Sequence, residues 1–217
     1  MKKLLNISGV IALLVSCLFF STTTLAVEKK ISAPFGLKWG MTYSDVLSKT
    51  GNIKLIGNEK NRVKEYLIKN DSSLIDGLDM YSVSIDDKYG LINVDALIYV
   101  YDDDDSKVIE KYNILKQALS SKYSEQYSEE YLWKNRTRGM LTLPECLNNE
   151  GCGKYVSLFQ GNDSSSVMIM LNATGDNRSV IISLFYKSEF IEKIKQEEKK
   201  QNEIIIKEKS DALANSL

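Results

Sequence analysis

Strict alternation of apolar and polar residues limits the fold of this chain more than any other feature. Apolar side chains occupy every second position of one run: Ile92, Val94, Ala96, Ile98 and Val100. A shorter run with the same period covers 81–85, and turn-forming residues 86–90 separate the two. A period of two places alternate side chains on one side of a strand, so the two runs predict an antiparallel hairpin with one buried face. The other side of the long strand, from Asn93 to Tyr101, is mixed and is expected to be solvated or half covered.

Further runs predict more strands, with turn residues between them. Strands are predicted at 53–56, 63–69, 131–134, 140–143, 155–160, 167–173 and 179–186. The last three read as an antiparallel meander, because polar turns separate them. Residues 146–152 are expected in a loop.

Three segments carry helical signals. Thr42 and Asp45 have the spacing of a capping box, and Gly51 is a natural C-cap, so a helix is predicted over 42–50. A second, amphipathic helix begins near Ser106, and a third runs from 188 to about 214. The order predicts an α+β fold: antiparallel sheet(s) with a short N-terminal helix, a central amphipathic helix and a long C-terminal helix. A duplicated βββα unit is one interpretation of this order.

The first residues have the anatomy of an export signal. Lys2 and Lys3 precede an apolar stretch, and a small, polar segment ends at Ala26. We expect residues 1–26 to be a signal peptide, 27–187 an α+β domain, and 188–217 a C-terminal helix that packs on the domain or extends from it. No integral membrane span is expected in the mature chain, which is predicted to be periplasmic or extracellular. A lipoprotein anchored through Cys17 is the alternative, because residues 14–17 have the form of a lipobox.

Removal of the signal leaves two cysteines, Cys146 and Cys152. An even pair in an oxidising compartment predicts a disulfide. The two cysteines lack a histidine partner, and their spacing is not that of a redox C-x-x-C motif, so a structural role is favoured over metal or redox chemistry.

Composition excludes several classes of function. The chain has no histidine, which rules out Ser-His-Asp and Cys-His catalysis within it. The 28 basic residues are balanced by 29 acidic ones, so the chain lacks the net positive charge that is typical of nucleic-acid-binding proteins. No phosphate-binding loop, nucleophile elbow or metalloprotease motif is present, and we expect no cofactor and no metal.

Three constellations have both a structural and a functional interpretation. Residues 102–105 are four aspartates, which favour the start of the second helix over a calcium site, since the EF-hand pattern is absent. Trp39, Trp133 and the tyrosines either line a ligand groove or pack the core. Arg136 and Arg138 either hold an anionic group or lie on the surface.

The C-terminal helix contains an unusual apolar cluster after a polar segment. Residues 195–203 are wholly polar, and Ile204, Ile205 and Ile206 follow. Three consecutive isoleucines span more of the helix circumference than one docking stripe needs. They are therefore the candidate contact with a partner or a second copy, the alternative being that the helix folds back on its own domain.

The segment 35–42, Phe-Gly-Leu-Lys-Trp-Gly-Met-Thr, resembles the start of small exported bacterial proteins. Gly40-Met41-Thr42 followed by Asp45-Val46 is also similar to the first helix start of the outer-membrane-assembly lipoprotein family with the BamE-like fold. The resemblance implies an exported α+β domain and transfers no functional residues. It departs from that family because strands, and not a second helix, follow the first helix here.

These observations favour an exported binding protein without chemistry of its own, whose partner is a protein or a cell-envelope component. Two alternatives stay open. One is an envelope hydrolase that uses paired carboxylates, since 29 acidic residues can always supply some pair. The other is an inhibitor or immunity protein directed against an enzyme or toxin of the envelope.

Overall fold

The computed structural model describes residues 30–57, 62–69, 75–100, 104–133, 141–175 and 178–215. The proposed signal peptide, Cys17, the acidic residues 102–103 and the two arginines 136 and 138 lie outside this part of the chain.

The described residues form eight strands and four helices. In chain order the elements are α1 (Tyr43–Thr50), β1 (Lys54–Leu55), β2 (Val63–Lys69), β3 (Met80–Asp86), β4 (Gly90–Val100), α2 (Asp105–Ser120), β5 (Ser124–Leu132), α3 (Leu143–Asn148), β6 (Gly153–Gln160), β7 (Ser166–Ala173), β8 (Val180–Lys187) and α4 (Phe190–Ala214). The strands form one antiparallel sheet, so the predicted α+β fold is confirmed.

The sheet consists of two meanders joined at their last strands. The strand order is β1-β2-β3-β4-β8-β7-β6-β5, and β4 pairs with β8 from Asn93↔Lys187 to Val100↔Val180. Each meander is followed by a helix, α2 or α4. The arrangement has the form of a repeated unit of four strands and a helix, one strand more than the βββα unit considered from the sequence. The short helices break the repeat, because α1 precedes β1 whereas α3 lies between β5 and β6.

The core lies between α1, α2, α3 and one side of the sheet. Each of these helices contributes a fully buried residue: Val46, Tyr112 and Leu143 respectively. They pack against the side chains that alternate along the strands on that side of the sheet. Val94, Ala96, Ile98 and Val100 of the predicted apolar side of β4 face this core, as period-two patterning requires. Ile92 is buried outside it, and Leu91 takes its place where the β3–β4 register shifts.

The helix starts follow the capping signals in the sequence. Thr42 caps α1, with Asp45 closing the capping box, and Gly51 ends the helix in the left-handed conformation. Asp104 caps α2 by accepting a hydrogen bond from the Ser106 N–H at 2.9 Å. The Ser106 hydroxyl, which also donates to this carboxylate, and the N–H together lower the pKa of Asp104. The contacts confirm the helix-start interpretation for the described part of the aspartate run.

The segment before α1, which includes Gly40 and Met41, crosses the start of β4, and we call it the strap. The Gly40 N–H donates to the Leu91 carbonyl at 3.0 Å, and the Leu91 N–H donates to Met41 at 2.8 Å. Gly90 has a φ of +70°, and a Cβ placed on it would lie 2.3 Å from the Gly40 carbonyl oxygen. Gly90 therefore lets the two backbones approach more closely than a residue with a side chain would allow.

Two expectations between β5 and β6 were wrong. β5 begins at Ser124, seven positions before the predicted strand, and no strand forms over the described residues 141–143. Instead, Thr142 and Glu145 form a capping box and Pro144 occupies the first turn of α3, which contains Cys146. The predicted loop around the cysteines is thus helical over its first part.

Cys146 and Cys152 form a disulfide, with their Cα atoms 5.1 Å apart. The bridge ties the end of α3 to the start of β6, and both cysteines are buried. It closes a short ring, so chain entropy makes it worth about 2 kcal/mol.

Removing this bridge should therefore have a modest effect. Cys146→Ser with Cys152→Ser is expected to lower the free energy of unfolding by about 2 kcal/mol, measured by urea denaturation. Thiol labelling of the unfolded, unreduced mature chain should find no free thiol. Two labelled cysteines would show that the bridge does not form.

Candidate functional site

One side of the sheet contributes nothing to the main core. Every described residue of that core points to the helical side, whereas the opposite side, here called the open face, carries the alternate residues of each strand. The register aligns one row of the open face across seven strands: Tyr127, Leu158, Met168, Phe185, Asp95, Ser82 and Leu67. Ser84, Asp86, Val156 and Ser183 on this side are buried, so a partner could reach it only at its exposed residues, such as Leu97 and Tyr127.

The middle of the open face is apolar and its margins are charged. Leu158, Met168, Met170 and Phe185 are half-buried neighbours in register, and Leu97 next to them is 39% exposed. We call these five residues the apolar band. Charged residues flank it, with Glu129 and Lys154 on one side and Glu65 and Lys187 on the other. An apolar centre within a charged margin is the usual anatomy of a protein interface, where methionine and aromatic residues are enriched.

Aromatic side chains continue the open face along the edge strand β5. Tyr127 and Tyr131 lie on this side of the strand and are exposed. Trp133 continues the same alternation, and its backbone N–H donates to the Cys152 carbonyl. The Tyr127 hydroxyl donates to Glu129, whose carboxylate also pairs with Lys154 at 2.6 Å. These contacts place the Glu129 carboxylate and the Lys154 ammonium group beside the exposed ring of Tyr127.

The two tryptophans thus have different roles. Trp39 is half-buried, and its indole N–H donates to the Ile31 carbonyl at 2.6 Å, which makes it part of the packing around the strap. Trp133 is exposed at the edge of the open face. The spacing of aromatic residues in the sequence does not distinguish these two roles.

A carboxyl and an amide lie side by side near the apolar band. The Asn93 amide nitrogen donates to Asp95 Oδ2 at 2.8 Å. The remaining oxygen of each side chain is buried and has no hydrogen-bond partner among the described residues. Burial raises the pKa of Asp95 to about 6, an effect to which Glu65 adds and which Asn93 and Lys187 oppose.

The raised pKa makes stability depend on pH. The folded chain favours neutral Asp95, so this carboxyl stabilises the fold below about pH 4 and loses that effect as the pH rises to about 6. Asp95→Asn should therefore raise the free energy of unfolding at pH 7 by about 1–2 kcal/mol, because the new amide stays neutral and can donate to Asn93. The gain should shrink at pH 4.

Urea denaturation of both proteins from pH 4 to pH 7 measures this effect. Asp76→Asn is the matched control, since the Asp76 side chain is fully exposed. A gain from Asp95→Asn that is the same at every pH would contradict the assignment.

The first turns of α4 are fastened to the turn between β3 and β4. Phe190 stacks on Tyr89 with ring centroids 5.3 Å apart, and Ile194 is buried. Glu197 accepts hydrogen bonds from Lys88 at 2.5 Å, Tyr89 at 2.7 Å and Arg62 at 2.9 Å. These three donors, Lys88 first, lower the pKa of Glu197 to about 2. The carboxylate stays charged and serves as the anchor of the helix.

Beyond this anchor the helix is exposed. Residues 198–215 are all exposed, and Ile204, Ile205 and Ile206 have exposed fractions of 51%, 37% and 67%. These isoleucines are the candidate partner contact that the sequence predicts. The structure leaves them accessible, and the contact itself stays a prediction.

A polar network between α2 and β5, in which Ser128 and Glu130 are exposed, has the residue types of a catalytic site but the wrong charge state. Lys116 donates to Ser128 at 3.0 Å and Glu130 at 2.6 Å, and Tyr112 and Ser157 also donate to Glu130. A lysine that activates serine must be neutral. Burial opposes the charge of Lys116, but Glu130 and Glu125 outweigh it and raise its pKa, so the network fastens α2 to the sheet.

The described helices include none that is long and apolar enough to cross a membrane. Comparison with family models, curated proteins and solved structures finds no match to this chain. The resemblances of segment 35–42 therefore stay predictions, and the function must be argued from the molecule itself.

Proposed function

We propose that this chain is an exported binding protein that recognises a protein or another cell-envelope component through the open face of its sheet. The supporting observation is the apolar band, which lies on the side of the sheet that contributes nothing to the core. Export is supported by the pattern of residues 1–26 and is compatible with the disulfide.

The physical reason is the cost of leaving this band in water. Burying apolar surface contributes about 25 cal/mol per Å², and large exposed apolar patches usually mark interaction sites. Methionines such as Met168 and Met170 adapt to different partner shapes because their side chains are unbranched. The charged margin keeps the free protein soluble and orients an incoming partner.

Site-directed photocrosslinking in the native envelope tests this proposal. A photoreactive residue at Leu97, on the open face, should give specific adducts. The same residue at Ile114, which is 59% exposed on α2 of the helical side, is the matched control and should give none. Adducts of equal yield from both positions, or none from Leu97, would overturn the proposal.

The identity of the adduct distinguishes the alternatives. An enzyme or toxin captured from Leu97 and inhibited by the mature chain would make this an inhibitor or immunity protein.

The hydrolase alternative has one observation in its favour, the raised pKa of Asp95, because a general acid needs such a shift. Release of reducing ends from cell-wall glycan, abolished by Asp95→Asn, would establish that activity instead.

A further inference from the structure

A pocket of about 350 Å³ lies where the strap meets the turn between β3 and β4. Its walls come from several elements: Gly40 of the strap, Thr42 and Tyr43 at the start of α1, Lys64 and Tyr66 of β2, and residues 85–90 around the turn. We call it the strap pocket. None of the five residues of the apolar band lines it. Its volume is within the usual range for a small-molecule site.

We propose that the strap pocket binds an uncharged sugar unit of the hexopyranose class. The inference goes beyond the binding function of the open face and does not depend on it. A hexopyranose ring presents a face of C–H groups and a rim of hydroxyl groups. A site for it therefore needs an accessible aromatic ring, polar groups that exchange hydrogen bonds with hydroxyls, and balanced charge.

Tyr43 supplies the aromatic ring. It is the first residue of α1, and its exposed fraction is 41%. Its ring centroid lies 5.1 Å from that of Tyr66, which is buried in the core. The buried ring supports the exposed one, so that little conformational entropy is lost when a ligand packs on it. A tyrosine ring offers a large, rigid apolar surface to the C–H face of a sugar.

The charges around the strap pocket are balanced by ion pairs. Each charged residue that lines it has a partner of opposite charge, at 2.5, 2.5 and 2.7 Å respectively: Lys64 pairs with Asp87, Lys88 with Glu197, and Asp86 with Arg62. A charged ligand would compete with one of these pairs and leave a carboxylate or an ammonium group without its partner. An uncharged ligand leaves all three pairs in place.

Two polar groups at the rim are accessible to ligand hydroxyls. The side chains of Asp87 and Lys88 are each 60% exposed. A carboxylate offers about four acceptor positions and an ammonium group three N–H donors, so an ion pair uses only part of their capacity. Asp87 can therefore accept from a sugar hydroxyl, and Lys88 can donate to one.

Titration of the mature chain with uncharged disaccharides, followed by saturation-transfer NMR, measures the binding. The probes are N,N′-diacetylchitobiose, cellobiose and maltose, of which at least one should bind with a dissociation constant of about 1 mM or tighter. Tyr43→Ala should raise that constant about tenfold, whereas Tyr43→Phe keeps the ring and should bind like the wild type. Tyr127→Ala removes an exposed tyrosine from the open face, and as the matched control it should change nothing.

A second variant tests the rim. Asp87→Ala should raise the dissociation constant of the same disaccharide about fivefold, because an acceptor is lost. The Asp87 side chain lies at the surface, so the variant should keep the fold and its melting temperature.

A third comparison tests the charge of the ligand. Glucose 6-phosphate should bind no more tightly than glucose, and disaccharide binding should be unchanged in about 0.5 M NaCl. Tighter binding of the phosphate that salt abolishes would show that the pocket takes an anion and would overturn the proposal.

Absence of binding to all three disaccharides, or equal binding by Tyr43→Ala, would overturn it as well. Either result would leave the proposed function of the open face intact, because Leu97 does not line the strap pocket.

Discussion

Gly90→Ala is expected to lower the free energy of unfolding by about 3–5 kcal/mol, the sum of a left-handed backbone and a steric collision. The added Cβ would lie 2.3 Å from the Gly40 carbonyl oxygen and 2.7 Å from that of Met41. Neither oxygen can move freely, because the strap is paired with Leu91 through two backbone hydrogen bonds. Urea denaturation followed by tryptophan fluorescence measures the loss.

Gly51→Ala separates the two contributions. Gly51 has a φ of +72°, almost the same as Gly90, but a Cβ there would meet no described atom within 4 Å. It should cost only about 1–2 kcal/mol, the backbone contribution alone. Equal losses at the two positions would show that the close approach of the strap to β4 has no energetic role.

Asp86→Ala should lower the free energy of unfolding by about 3 kcal/mol, because a buried carboxylate with one charged and two backbone donors is lost. Asp86 is fully buried and lies 2.7 Å from Arg62 Nε. It also accepts hydrogen bonds from the backbone N–H groups of Lys88 and Tyr89, at 2.8 and 2.9 Å. Its removal would leave the turn that anchors α4 without its central acceptor.

The neighbouring Asp87 is the control. Its side chain is 60% exposed and pairs with Lys64 at the surface, so Asp87→Ala should cost less than about 1 kcal/mol. A difference between the two variants of less than about 1 kcal/mol would contradict the assigned role of Asp86. Both variants can be compared by the same denaturation experiment.

The predictable parts of the fold are those set by neighbouring residues. The capping box of α1 and the alternation in β4 depend on side chains a few positions apart, and both are confirmed. The capping box of α3, with Thr142 and Glu145, has the same local form, but the apolar residues next to it favour a strand. β5 is longer than predicted, because its first residues are polar on both sides and an edge strand of this kind lacks the period-two signal.

The candidate site was harder to foresee, because it depends on which strands become neighbours. The mixed side of β4 indicated a half-covered face, but Phe185 and Met168 join Asp95 only through the pairing of β4 with β8 and of β8 with β7. That pairing connects segments far apart in the chain, and no periodicity within one strand reports it. The three isoleucines of α4, in contrast, are adjacent in the sequence, so the cluster can be read directly from it.

The strand order has a kinetic consequence. Within each meander the contacts are local, and such hairpins can form early, whereas β4 meets β8 only after most of the chain has been synthesised. Until then β4 is a long, apolar strand with an unpaired edge, which favours aggregation. Because the sheet is completed only when its last strand has been synthesised, the chain stays incompletely folded, with this edge exposed, until nearly all of it is available.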